Sequence, residues 1–291
     1  MRRGVAAVII AAALASTATA CTAPAAADGR LRIVAAFYPW QFIAERVGGD
    51  LVSVSNLTKL GAEPHDLELT PRQVASLAKA DFVIYEHGVQ PSVDDAVAQQ
   101  ARHHALDVTT VIPLRTHSGI GGRDPHIWLD PVTFASVIAT TRDRLTAIAA
   151  THAAQFAANA RRLTSELFAL DRDIRVGLAH CASKIIVTSH TAFGYFADRY
   201  GMRQVGVAGI DAESDPSPRR IADVVALVRA TGAFTVYYET LVSPAIAKSV
   251  AREAKVASAV LDPIEGATAH LDYLQLMRSN LATLITGQHC S

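Results

Sequence analysis

The chain lacks an excess of charge of either sign: 27 Lys and Arg stand against 27 Asp and Glu among 291 residues. With no basic surplus to neutralise phosphates, nucleic acid is excluded as a partner. Aromatic residues are scarce at 6%, while hydrophobic residues make up 50% and alanine is abundant. That balance suits helices packed closely on sheets, with apolar surface enough for two compact lobes or one large one. Cysteine is nearly missing, with only Cys21, Cys181 and Cys290. No His-Glu-x-x-His run occurs, so the helical zinc-hydrolase arrangement is absent. The apolar stretch from Val5 to Ala15 falls short of the roughly 20 residues that span a bilayer.

That stretch instead has the form of an export signal over residues 1–20, with Arg2 and Arg3 ahead of the apolar run and Ser16-Thr-Ala-Thr-Ala20 behind it. Small residues before Cys21 resemble a bacterial lipobox, with Ala18 where leucine is usual. Cys21 is therefore a lipidation candidate, and plain secretion with cleavage near Ala20 or Ala27 is the alternative. Either way the chain is exported, to the outer face of the cytoplasmic membrane as a lipoprotein or to the periplasm if not acylated. Without Arg2 and Arg3 the mature chain carries 25 basic against 27 acidic residues. Residues 21–30 have tether composition. Cys181 and Cys290 form an even pair in an oxidising compartment, a disulfide candidate, with two separate thiols as the alternative.

Three regions follow. In residues 31–150, short apolar runs such as Leu31–Ala36, Leu51–Ser55, Phe82–Tyr85 and Ala105–Thr109 alternate with helical patterns at Pro39–Val47 and Thr70–Ala80. Such alternation predicts parallel βαβ units. Residues 151–179 lack strand patterning, and apolar residues recur at helical spacing in Phe156, Leu163, Leu167, Leu170 and Ile174. Alternation resumes in residues 180–291, with strands at Ser183–Thr188, Gln204–Val207, Phe234–Tyr238 and Ala257–Leu261 and helices at Pro218–Thr231, Pro244–Ala254 and His270–Thr286. The predicted fold class is α/β: two lobes with parallel sheets flanked by helices, bridged by one long rigid α-helix.

Of 11 histidines, His87, His103, His104, His117, His152, His180, His270 and His289 have no distinguishing context. His65 and His126 differ, lying in Gly-Ala-Glu-Pro-His65 and Asp-Pro-His126-Ile-Trp-Leu-Asp-Pro, after the second and fourth strands. His190 and Asp262 end the strands Lys184–His190 and Ala257–Asp262. Ligand residues collect at the carboxyl ends of parallel strands, so two groups from each lobe can meet in the cleft between lobes. Three imidazoles and one carboxylate suit tetrahedral Zn²⁺. Prolines 64, 125, 131 and 263 restrict the loops that carry them. Glu239, ending the strand Phe234–Tyr238, is expected to orient a ligand histidine or offer another oxygen, unless it is an ordinary salt-bridge carboxylate at the rim. Trp128 and Tyr195 are expected to pack beside the cleft.

These motifs, with Thr-Ser-His190-Thr-Ala-Phe-Gly-Tyr195 and Tyr237-Tyr-Glu-Thr-Leu-Val-Ser-Pro244, resemble the zinc and manganese binding proteins of ABC importers, the ZnuA/TroA-like cluster A-I family. The resemblance runs from about Leu31 to Leu284. It implies a periplasmic-binding-protein-like fold of TroA type, metal at His65, His126, His190 and Asp262, and delivery of the ion to a membrane permease. Histidine at position 190, where manganese members tend to carry glutamate, points to zinc. Thr116–Arg123 is short where many zinc members carry a long His- and acid-rich loop, which opens dependence on a separate zinc chaperone. A monomer is expected. The rivals are the same fold selecting Mn²⁺ or Fe²⁺, a zinc hydrolase, and a surface adhesin. Four protein ligands, leaving no open position for water, argue against the hydrolase.

Overall fold

The computed structural model describes residues 29–116, 122–210, 215–266, 268 and 270–291. The export signal, Cys21, most of the tether and His117 lie outside them.

β1 (Leu31–Ala35), α1 (Tyr38–Gly48), β2 (Val52–Asn56), α2 (Pro71–Lys79), β3 (Phe82–Tyr85), α3 (Pro91–Gln100) and β4 (Ala105–Asp107) build the first lobe. Its sheet has the order β2-β1-β3-β4, every pair parallel. Ile33, Val34, Val83 and Ile84 in the central strands are buried, because helices cover both faces of a parallel sheet and water never reaches alternate side chains. α2 starts at a capping box, with Thr70 and Gln73 each accepting from the other's backbone N–H.

α4 (Pro131–Ile148) and α5 (Ala153–Gly177) follow. Asp130 caps α4, its Oδ1 accepting from Val132 and Thr133 backbone nitrogens, and Pro131 occupies the first turn. α5 has 25 residues, which makes it about 38 Å long. Its apolar stripe, Phe156, Leu163, Leu167, Leu170 and Ile174, is fully buried against α1, α4 and the last helix.

β5 (Ile185–Thr188), α6 (Gly194–Tyr200), β6 (Arg203–Gly206), α7 (Pro218–Thr231), β7 (Thr235–Tyr238), α8 (Ala245–Ala254), β8 (Ala257–Val260) and α9 (Tyr273–Gly287) complete the chain. The second sheet, β6-β5-β7-β8, is again all parallel and repeats the order of the first. α3 and α6 were not foreseen: α3 buries only Val93, Ala96 and Val97, and α6 ends after 7 residues at Gly201, φ 64°. α3 offers too few apolar positions, and α6 too few residues, for a helical period to stand out in the sequence.

The lobes share one apolar core. Phe37, Trp40, Trp128 and Phe134 of the first half are continuous with Phe193, Tyr195, Tyr237 and Leu261 of the second. α9 comes last in sequence yet carries Tyr273 onto the rings of Phe42 and Phe134, at 5.2 and 4.7 Å between centroids. Polar bonds cross the same seam: Trp128 Nε1 donates to Pro263 O at 2.7 Å, and Tyr273 Oη donates to Trp128 O at 2.5 Å. Arg199 grips Asp130 with two hydrogen bonds of 2.8 and 2.6 Å. A smaller cluster (Val187, Val205, Val224, Val228, Val236, Val250) lies within the second lobe alone. Cys181 and Cys290 are bonded, Sγ–Sγ 1.99 Å, tying the C-terminal tail beside β5. No helix among the described residues is long and apolar enough to cross a membrane.

Candidate metal centre

Five loops at the carboxyl ends of strands converge between the lobes, the fifth after β8 carrying Glu265. His65 follows β2, and its backbone N–H donates to Glu63 Oε2 at 2.8 Å. His126 precedes α4, in a turn that Asp124 Oδ1 closes by accepting from the His126 backbone N–H at 2.9 Å. His190 lies just past β5, its carbonyl held by Thr188 Oγ1 at 2.6 Å. Glu239 directly follows β7.

The carboxylate at the centre is Glu265, which is fully buried. Its Oε1 lies 3.1 Å from His126 Nε2, 3.4 Å from His190 Nε2 and 3.7 Å from His65 Nε2. Two ligand atoms on a tetrahedral ion at about 2.0–2.1 Å are separated by about 3.3 Å. The three distances bracket that edge, but the ligand atoms lie within 4.8 Å of one another only in two groups that share Glu265, one with His65 and His126 and one with His190 and Glu239. All four therefore meet on one ion only when the histidine nitrogens draw together around it. The rings are close in turn, with His126 5.8 Å from His65 and 5.3 Å from His190 between centroids. His65 Nε2, His190 Nε2 and Glu265 Oε2 are buried without a hydrogen-bond partner. Buried polar atoms are rarely left so, and three around one point mark a place for a ligand.

The opposite edge of two rings is also prepared. Asp124 Oδ1 lies 2.8 Å from His126 Nδ1, and Glu239 Oε1 lies 2.8 Å from His190 Nδ1 while also accepting from Ser189 Oγ at 2.6 Å. With Nδ1 held by a carboxylate, Nε2, which faces Glu265, is the nitrogen that would bind metal once its proton is displaced. Trp128 packs against the His126 ring, 5.2 Å between centroids. Asp124 and Glu265 carry parts of the centre that sequence reasoning did not assign. The Asp-Pro-His spacing was a usable signal for Asp124, since a carboxylate two residues ahead of a histidine can cap its own turn.

Asp262, expected as the carboxylate, takes no place in either group of ligand atoms lying within 4.8 Å of one another; those groups are His65, His126, Glu265 and His190, Glu239, Glu265. Asp262 builds the turn instead. Its Oδ1 accepts from the Ile264 backbone N–H at 2.7 Å and its Oδ2 from Thr240 Oγ1 at 3.2 Å. Asn280 clamps the Asp262 backbone through both its N–H and its carbonyl. Ile264 is held at φ 59°, a left-handed conformation that costs a β-branched residue about 1–3 kcal/mol and persists where surroundings over-determine it. The turn so formed delivers the next residue, Glu265, into the cleft.

Charge in the cage follows from this packing. Burial by itself would raise the Glu265 carboxyl, but the hydrogen bond with His126 and the nearby His190 and His65 imidazoles outweigh it and hold the group well below the ordinary carboxylate range. Burial would likewise lower His190, yet the hydrogen bond to Glu239 and the nearby Glu265 carboxylate push it up to about 10. His65 is raised for the same reason, against its burial, by Glu265 and Glu63. Burial pushes the Glu63 carboxyl up to about 7. His190 is thus cationic at neutral pH beside an anionic Glu265, and a dication must displace its proton to enter. His65 is its most exposed histidine, at 12% of the side chain against 3% for His190 and 0% for His126. A cavity of about 370 Å³ opens on His65.

Residues 33–287 match the family model for zinc-uptake complex component A (ZnuA, periplasmic). The zinc-binding protein AdcA of Streptococcus pyogenes serotype M3 is 33% identical over 289 residues, covering 89% of this chain and 56% of AdcA. The chain therefore spans little more than half the length of that relative. The Zn(II)-bound ZnuA-like domain of Streptococcus pneumoniae AdcA is similar with a TM-score of 0.77 at 31% identity, covering 89% of this chain and 99% of that domain. The laminin-binding protein Lmb of Streptococcus agalactiae, described as an adhesin with metal-transporting activity, has a TM-score of 0.82 at 28% identity, covering 89% of this chain and 99% of Lmb.

Proposed function

From the premise that the chain belongs to the family of zinc-uptake complex component A, we propose that it captures Zn²⁺ outside the cytoplasm and delivers it to an ABC permease. The cargo is held by His65, His126 and His190 through Nε2 and by Glu265 through its carboxylate. The observation that carries this reading is the set of 3.1, 3.4 and 3.7 Å separations between the three Nε2 atoms and Glu265 Oε1, each close to one edge of a tetrahedral zinc site. Asp124 and Glu239 orient two of the rings. Imidazole-rich sites suit Zn²⁺ better than Mn²⁺, which prefers more oxygen and higher coordination. Four protein ligands complete the ion's shell and leave no position for a water nucleophile, which disfavours a hydrolase. Acylation of Cys21 would keep the protein at the membrane beside its permease, as a monomer. A separate zinc chaperone would be the donor in place of a His-rich loop. The likeness to Lmb raises adhesion as a second role, which loss of attachment on deletion, with zinc-dependent growth intact, would reveal.

The test is metal competition on chelator-stripped protein, titrated with Zn²⁺ in excess Mn²⁺. One tight equivalent of zinc that manganese does not displace, and that His190→Ala abolishes, is the expected result. Displacement by manganese, or no tight equivalent, would refute it.

A further inference from the structure

His126 and His190 each hydrogen-bond a carboxylate through Nδ1, and His87, outside the cage, has a carboxylate close to the same nitrogen. His87 lies two residues past β3, with Nδ1 3.2 Å from Asp94 Oδ2. Its backbone is pinned too: the His87 N–H donates to Asp107 Oδ1 at 3.2 Å, and the next N–H, of Gly88, donates to Asp94 Oδ2 at 2.9 Å. A carboxylate beside Nδ1 favours the tautomer that carries its proton there and its lone pair on Nε2. Unlike the cage histidines, His87 is open to water, with 65% of its side chain exposed.

Its position gives this a use. His87 and His65 line one cavity of about 370 Å³, with Thr109, Leu114 and Ile210 among the other walls. His65 is the exposed edge of the cage, so an ion passing through that cavity meets His87 before the buried ligands. Arg123 also lines the passage and repels a dication, so charge alone does not draw the ion in. A fixed lone pair does.

We propose that His87 is a transit ligand that takes hydrated Zn²⁺ at the cavity through Nε2 and passes it to His65. One water on the ion is exchanged for His87 Nε2, which is in turn exchanged for His65 Nε2, and no electron moves. One imidazole with water completing the shell binds weakly, as a transit position must if the ion is to leave it. The inference rests on the reading that the cage takes zinc.

Two measurements test it. The first is stopped-flow exchange of zinc between a fluorescent chelator and the chelator-stripped chain, unaltered or His87→Ala. A residue on the path speeds entry and exit alike, so association and dissociation should both slow by about three- to tenfold in the variant while Kd stays constant. Unchanged rates, or a changed Kd, would overturn the proposal. The second is an NMR titration of the His190→Ala protein with zinc, following the His87 ring. A saturable shift of that ring is expected, and a ring that zinc leaves unmoved would overturn the proposal. Failure of the uptake reading looks different: the unaltered chain would bind no tight equivalent of zinc, while the ring titration would still report on His87.

Discussion

Replacing Glu265 with glutamine keeps the shape of the side chain and removes the charge at the centre of the cage. The loss has two opposed parts. A unit charge 3.4 Å from the carboxylate, the distance of His190 Nε2, interacts with it by about 5 kcal/mol at an effective dielectric of about 20, and a dication gains more. Against this, Glu265 helps hold the His190 proton, whose pKa is about 10. At pH 7, expelling that proton costs on the order of 4 kcal/mol, part of which the glutamine variant is spared. Stripping one partner from a buried charged pair costs about 3–5 kcal/mol. Zinc affinity of Glu265→Gln should therefore fall between about a hundredfold and a few thousandfold. Asp262→Ala removes only the turn bonds to Ile264 and Thr240, so it should lower stability by about 1 kcal/mol and zinc affinity by less than about tenfold. Both are read by competition against a chromophoric zinc chelator, with denaturant unfolding of the zinc-free proteins as the folding control. If Asp262→Ala lost more zinc affinity than Glu265→Gln, the assignment of the carboxylate would be wrong.

Because His190 is raised to about 10 and His65 is raised as well, zinc affinity should keep climbing by about tenfold or more per pH unit from pH 7 to 9; calorimetry in buffers of different ionisation enthalpy should find protons released, and a flat affinity over that range would count against the imidazole shell. For the zinc-free protein the sign runs the other way. A folded pKa above the unfolded value stabilises fully below about pH 6.5 and ceases to do so as pH rises through about 10, so its Tm should fall across that window. Glu239→Gln weakens the bond on His190 Nδ1 and should cost about ten- to a hundredfold in zinc affinity, which the same competition assay detects. Arg199→Met leaves the buried Asp130 with its helix-capping bonds but no counter-charge, and should lower unfolding free energy by about 2–4 kcal/mol in urea.

The local pattern of the chain determined a good deal. Parallel βαβ units follow from the alternation around Phe82–Tyr85 and Ala257–Val260, and the long helix from apolar spacing between Phe156 and Ile174. Both are short-range signals, because a strand or helix must present its own apolar side at its own period. The histidines were legible for a similar reason: His65, His126 and His190 sit where parallel strands end, and Pro64 and Pro125 mark the turns of the first two.

Only the tertiary structure chose the carboxylate. Asp262 and Glu265 are three residues apart, and which of them faces the cleft depends on a left-handed Ile264 that distant Asn280, Thr240 and Trp128 hold in place. The pairing of Cys181 with Cys290 across 109 residues has the same character. So do the placement of α9 against Phe42 and Phe134, and the common core that fuses the lobes. Each of these is a contact between segments far apart in sequence. No residue carries a local preference for its partner, and the choice is made only when the whole apolar surface finds its lowest free energy together.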